Sequence, residues 1–138
     1  MNRVDLKRIS MIRQREARVL RDAGCFPGSY YLTGYAVECA LKARIAKRVQ
    51  RHDFPDKELG IEAYTHNLKV LMRVAGLDRE FEHDMKANSA LRFNWLVVAS
   101  WSESSRYEHQ VTKQEAFDMY AACTARKDGI LSWLRKRW

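Results

Sequence analysis

Three groups of residues have the types and spacing from which chemistry could be built. In Tyr35-Ala36-Val37-Glu38-Cys39-Ala40-Leu41-Lys42, a carboxylate and an ammonium stand four residues apart inside an otherwise apolar stretch. On a helix that spacing puts both on one face, where they can pair. Burying a carboxylate without a partner is costly, so Glu38 needs one close by. The second group is Trp101, followed by Ser105-Arg106-Tyr107. A guanidinium grips a carboxylate or a phosphate through two parallel hydrogen bonds. Arg106 is therefore expected to meet Glu38 or an anionic ligand, with Trp101 and Tyr107 as core packing or as an apolar wall beside it. The third is Thr65-His66, expected at the start of a helix, where a histidine can cap the helix or face an anion.

Other chemistries lack their residues. There is no GxGxxG, no GxxxxGK followed by Ser or Thr, and no GxSxG. Cys25, Cys39 and Cys123 are odd in number and far apart, which gives neither a zinc framework nor a disulfide scaffold. Cys39 and Cys123 fall in helical patterns and are expected in the core. His52, His66, His83 and His109 show no HExxH spacing. No metal site and no cofactor are expected.

The elements that would position these residues read as helices throughout. A first helix is expected over about Leu6–Ala23, capped by Asp5 and ended by Gly24. A second runs over about Gly28–Gln50, with Pro27 in its first turn and Tyr31, Tyr35, Val37, Leu41, Ile45 and Val49 along its apolar side. Gly34, Ala36, Ala40 and Ala43 would let another helix come close. The stretch 51–64, with Pro55 and Gly60, reads as a loop. Thr65 is placed to cap a third helix, about His66–Ala75, with Leu68, Leu71 and Met72 inward and Gly76 ending it. Asp78 opens a further stretch that breaks near Asn88 and resumes through Leu91, Trp95, Leu96 and Val98. Residues 99–110 read as a polar connection. Thr112-Lys113-Gln114-Glu115 fits a capping box, opening a last helix to about Arg135 that buries Phe117, Tyr120, Cys123, Ile130, Leu131 and Leu134. Trp133 and Trp138, beside Arg135, Lys136 and Arg137, read as a solvated terminus. No hairpin signal appears, so the fold class is all-α: an antiparallel, up-and-down bundle.

Length and composition agree with that. At 138 residues the chain is one domain, and 46% hydrophobic with 30% charged residues is globular rather than disordered composition. No apolar run is long enough for a membrane span, and the N-terminus lacks the apolar stretch of a signal peptide, so a cytoplasmic protein is expected. The charge is lopsided. Residues 1–52 hold 12 Lys or Arg against four Asp or Glu, whereas residues 53–138 hold 13 of each. A one-sided basic field attracts nucleic acid; it is also what a solvated helix surface looks like.

At the same residues the sequence resembles a family. GSYYLTGYAVECALKARI, THNLKVL and NWLVVASWSESSRY look, in that order, like the successive signatures of HEPN-domain proteins (higher eukaryotes and prokaryotes nucleotide-binding). The resemblance covers about residues 10–135. It implies a bundle of four or five helices, often a homodimer. It also implies a nucleotide or RNA ligand and, in many members, a nucleotidyltransferase partner in a two-gene toxin–antitoxin or defence system. Ribonuclease members carry an Arg, four to six intervening residues and then a His. This chain departs from that pattern: two residues separate Arg106 from His109, and three separate Arg48 from His52 and Arg79 from His83.

The expectation is therefore a non-catalytic or weakly active nucleotide- or RNA-associated module. Its ligand site would comprise Glu38, Lys42, His66, Arg106, Tyr107 and Trp101. The alternatives are a metal-independent ribonuclease using Arg106 and His109 as catalytic residues, and a pure protein–protein interaction module.

Overall fold

The structure, a computed structural model, describes residues 1–51 and 62–138. Among these residues it is all-helical, with seven α-helices, one 3-10 helix and no strand. The loop expected over 51–64 lies almost wholly outside the described residues, as does His52. The helices are α1 (Arg3–Asp22), α2 (Phe26–Arg51), α3 (Leu68–Val74), α4 (Asp78–Ala87), α5 (Ser89–Ala99), the 3-10 helix Glu103–Tyr107, α6 (Lys113–Thr124) and α7 (Ile130–Arg135). No described helix is long and apolar enough to cross a membrane.

The bundle is organised on α2. At 26 residues it is about 39 Å long, and its buried side carries Ala36, Val37, Ala40, Leu41, Ala43 and Ile45. α1 folds back along it through a tight turn at Gly24, whose φ of +80° is a left-handed value that suits glycine. Two buried hydroxyls tie the pair. Ser10 donates to Ala36 O at 2.7 Å, and Ser29 donates to Ala17 O at 2.8 Å. Ascending α1 thus descends α2, so the two are antiparallel.

The helix ends differ from the sequence reading in instructive ways. The N-cap of α1 is Asn2, not Asp5. Asp5 sits three residues later and bonds back to the Asn2 N–H, completing a capping box. The third helix is capped by Asn67, whose side chain accepts from the Lys69 and Val70 N–H groups. Thr65 instead accepts from the Asn67 N–H. Asp78 is the first residue of α4 rather than its cap. The break at Asn88 is present, and this residue ends α4 while capping α5 by accepting from the Leu91 N–H.

The last helix is two. α6 opens with the expected Thr112–Glu115 capping box, but Ala125 leaves helical geometry and α7 restarts after Gly129. A Cβ on Gly129 would overlap the Ala125 carbonyl, so the turn requires glycine there. Asp128, in the turn, accepts from Asn88 and its carbonyl accepts from Asn94, which fastens the break to α5. Phe117, expected inward, is instead at the surface under the guanidinium of Arg21.

The C-terminus is not a solvated tail. Trp133 is buried edge-on to Phe81, and its Nε1 donates to Asp84 at 2.8 Å. Arg137 lies over the Trp133 ring and pairs with Glu80 and Asp84. Arg3 and Arg44 donate to the Trp138 and Arg137 carbonyls, and Arg48 donates to Val74 O at 2.8 Å. Part of the basic first half is therefore employed in satisfying helix C-terminal carbonyls, which is where cations are favourable.

Candidate functional site

The site begins with the register of α2. Gly34, Glu38 and Lys42 follow one another at four-residue steps and so lie along one line of the helix. Glu38 is only 2% exposed, in the middle of the apolar core. Lys42 Nζ donates to its Oε1 at 2.9 Å, and His66 Nδ1 lies 2.9 Å from the same oxygen. Glu38 Oε2 is buried without a hydrogen-bond partner among the described residues.

His66 is not in a helix. It occupies the turn before α3, held by the Thr65 hydroxyl bond and the Asn67 cap on either side. Its second ring nitrogen, Nε2, lies 3.1 Å from Glu103 Oε2. An imidazole between two ionised carboxylates makes both contacts as hydrogen bonds only when it carries both ring protons. The result is a continuous chain, Lys42–Glu38–His66–Glu103, drawn from α2, the α3 turn and the 3-10 helix.

The polar connection expected after α5 proves to be ordered by two anchors. Trp101 is 4% exposed and Ser105 is 7% exposed, and both sit against α2. Trp101 explains the small residue at 34. A Cβ there would overlap its indole, so Gly34 admits a tryptophan ring rather than a neighbouring helix. The ring is stacked on Tyr31, at 6.1 Å between centroids, and Tyr31 on Tyr35, at 6.0 Å. Trp101 Nε1 and Ser105 Oγ are also buried without a hydrogen-bond partner among the described residues. A cavity of about 320 Å³ opens beside this anchor, lined by Thr65, His66, Lys69, Trp101, Ser102 and Glu103 among others.

Glu38, Lys42, His66 and Trp101 are thus brought together. Arg106 is not the partner of Glu38. In a 3-10 helix, residues three apart share an edge and are separated by about 6 Å along the axis. Glu103 occupies the turn nearer His66. Arg106 comes one turn later, exposed, with its guanidinium 4.9 Å from the ring of Tyr107, which is also exposed. His109 follows in irregular chain and is exposed. Two participants escaped the sequence reading: Glu103, which takes the free edge of His66, and Lys69, on the cavity wall. Lys69 had a usable signal, since it follows His66 by three residues. Glu103 had none, because its role depends on the 3-10 turn.

No family model, curated protein or solved structure matches this chain. What the site can do therefore follows from its own residues: a sealed carboxylate holds an imidazole at the edge of a polar cavity that Lys69 and Trp101 also line.

Next to this chain of charges sits a thiol. Burial pushes Cys39 up to about 11, with the Glu38 carboxylate adding to the effect. Burial also pushes Cys123 up, whereas Cys25 is exposed. The expected result with a thiol reagent at pH 8 is one fast equivalent, lost in Cys25→Ser, and two more only after denaturation. The unfolded chain ionises Cys39 from its ordinary 9.0, while the fold keeps it protonated until about 11. That contribution to stability is whole below pH 9 and is lost as the pH rises from 9 towards 11. Urea titrations at pH 8 and pH 10.5, compared with Cys39→Ala, measure it.

Proposed function

We propose that this chain is a HEPN-like, nucleotide- or RNA-associated module, non-catalytic or weakly active. It would act in the cytoplasm as a homodimer or beside a nucleotidyltransferase, in a two-gene toxin–antitoxin or defence system. The observation that carries this reading is a cavity lined by His66, Lys69 and Trp101, with His66 joined through the buried Glu38 to Lys42. Imidazole and ammonium groups suit a phosphate, and an indole suits a base or a ribose face. Burying polar groups at the centre of a helical bundle costs stability unless they are satisfied, and here one carboxylate oxygen, one indole N–H and one hydroxyl have no partner among the described residues.

The test is calorimetric titration of ATP and of a short single-stranded RNA into wild type, His66→Ala and Lys69→Ala. Binding is expected to weaken at least tenfold in each variant, equivalent to about 1.4 kcal/mol. Absence of binding by wild type at millimolar nucleotide removes the reading.

One observation favours a pure interaction module instead. α5 turns Phe93 and Leu96 outward, 66% and 65% exposed. Under that reading the polar chain only fixes helix register, and His66→Ala lowers the melting temperature without changing any binding constant.

A further inference from the structure

His66 lies between two carboxylates that differ in one decisive respect. Glu38 is sealed in the core, whereas the Glu103 side chain is 47% exposed at the cavity rim. A sealed carboxylate can only orient the ring; an exposed one can leave it. We propose that Glu103 is a resident counter-anion. Its carboxylate occupies His66 Nε2, the position at which a phosphate monoester binds, and an incoming phosphate displaces it. This inference rests on the phosphate-site reading given above and names how that site is regulated.

Local charge makes the exchange favourable. The ring contacts Glu38 from α2 and Glu103 from the 3-10 helix; Lys42 pairs with Glu38, and Lys69 from α3 lines the same cavity as the ring. With Glu103 turned away, the Lys42 ammonium and the imidazole share one buried carboxylate, and the Lys69 side chain on the cavity wall adds a further positive charge. A phosphate dianion restores the balance that Glu103 provides in its absence. Carboxylate and phosphate oxygens accept from the same cationic N–H donors at the same distances, so either fits the ring.

The mechanics are undemanding as well. Trp101 and Ser105, both buried, pin the chain on either side of Glu103. The backbone can therefore stay in place while one exposed side chain rotates. An ion pair with both side chains nearly half exposed contributes little to stability, so its loss is readily offset by a ligand. Thr65 also lines the cavity, and a hydroxyl can donate to a phosphate oxygen.

The experiment is titration of inorganic phosphate into wild type, Glu103→Gln, His66→Gln and the double variant, followed by calorimetry and by the His66 ring proton resonance. Glu103→Gln is expected to bind phosphate about tenfold more tightly than wild type, since it removes both a competitor and a like charge. The double variant is expected to lose that binding. Glu103→Ala serves as a second removal of the charge, and thermal melts establish that each variant is folded. Equal affinity of wild type and Glu103→Gln, with binding abolished in His66→Gln, overturns the counter-anion while leaving the phosphate site standing. Tight binding that survives His66→Gln overturns it too, by placing the phosphate elsewhere. No phosphate binding by wild type or by either Glu103 variant overturns the inference and the site reading together.

Discussion

Lys42→Met destabilises the fold by about 3–5 kcal/mol, the cost of leaving a buried charge without its partner. The size of the loss depends on which member of the pair is sealed. Glu38 is 2% exposed, so it cannot recover water when its ammonium is removed. Lys42, at 22% exposure, could. The methionine keeps most of the lysine stem's packing, so the loss is electrostatic rather than steric. Among the described residues His66 remains as the only other donor on Glu38 Oε1, and Oε2 has none. Adding Glu38→Gln to Lys42→Met is expected to return a large part of the lost stability, because removing both charges eliminates the desolvation penalty that removing one exposes. Urea unfolding of the two single variants and the double variant closes the cycle. A loss below about 1 kcal/mol for Lys42→Met would mean that Glu38 is not held as a buried charge, and the site would lose its organising group.

How much of this was legible in the chain depends on the range of the interaction. The helices around Leu41, Leu71 and Cys123 follow from apolar periodicity, and the Thr112–Glu115 capping box from four consecutive residues. The Glu38–Lys42 pair follows from a four-residue spacing. Each is a local rule. What was not legible is what depends on tertiary partners. Asn2 and Asn67 take the caps for which Asp5 and Thr65 were equally good residue types, because hydrogen bonding is decided by where each helix must begin to pack. The restart at Gly129 follows from tertiary bonds of Asp128 to Asn88 and Asn94. Beyond Lys42, the second partner of Glu38 is His66 rather than Arg106, for which Glu38 or an anionic ligand is expected, since five residues of 3-10 helix direct Glu103 to the ring and leave Arg106 a turn away at the surface. The stretch that reads as a polar connection carries two buried anchors, Trp101, for which core packing is one of the two expectations, and Ser105, for which there is none, because its order comes from α2 rather than from its own periodicity.

Gly34→Ala tests that anchoring directly, and two effects of opposite sign decide its outcome. In an exposed helix interior, Ala in place of Gly gains about 1 kcal/mol. Here the added methyl overlaps the Trp101 indole itself, not the end of a flexible chain. The ring cannot yield sideways while it is stacked on Tyr31 and 4% exposed, so it must leave its slot. Losing a buried tryptophan costs about 3–5 kcal/mol, which exceeds the propensity gain. The net expectation is a loss of about 2–4 kcal/mol and a shift of tryptophan emission to longer wavelength. Trp101→Leu in the Gly34→Ala background makes room for the methyl, so the double variant is expected to be more stable than the sum of the single changes allows. Strict additivity, or a Gly34→Ala protein as stable as wild type, would show that the indole does not occupy the hollow that Gly34 leaves on α2, and the ordering of the Glu103 segment would need another cause.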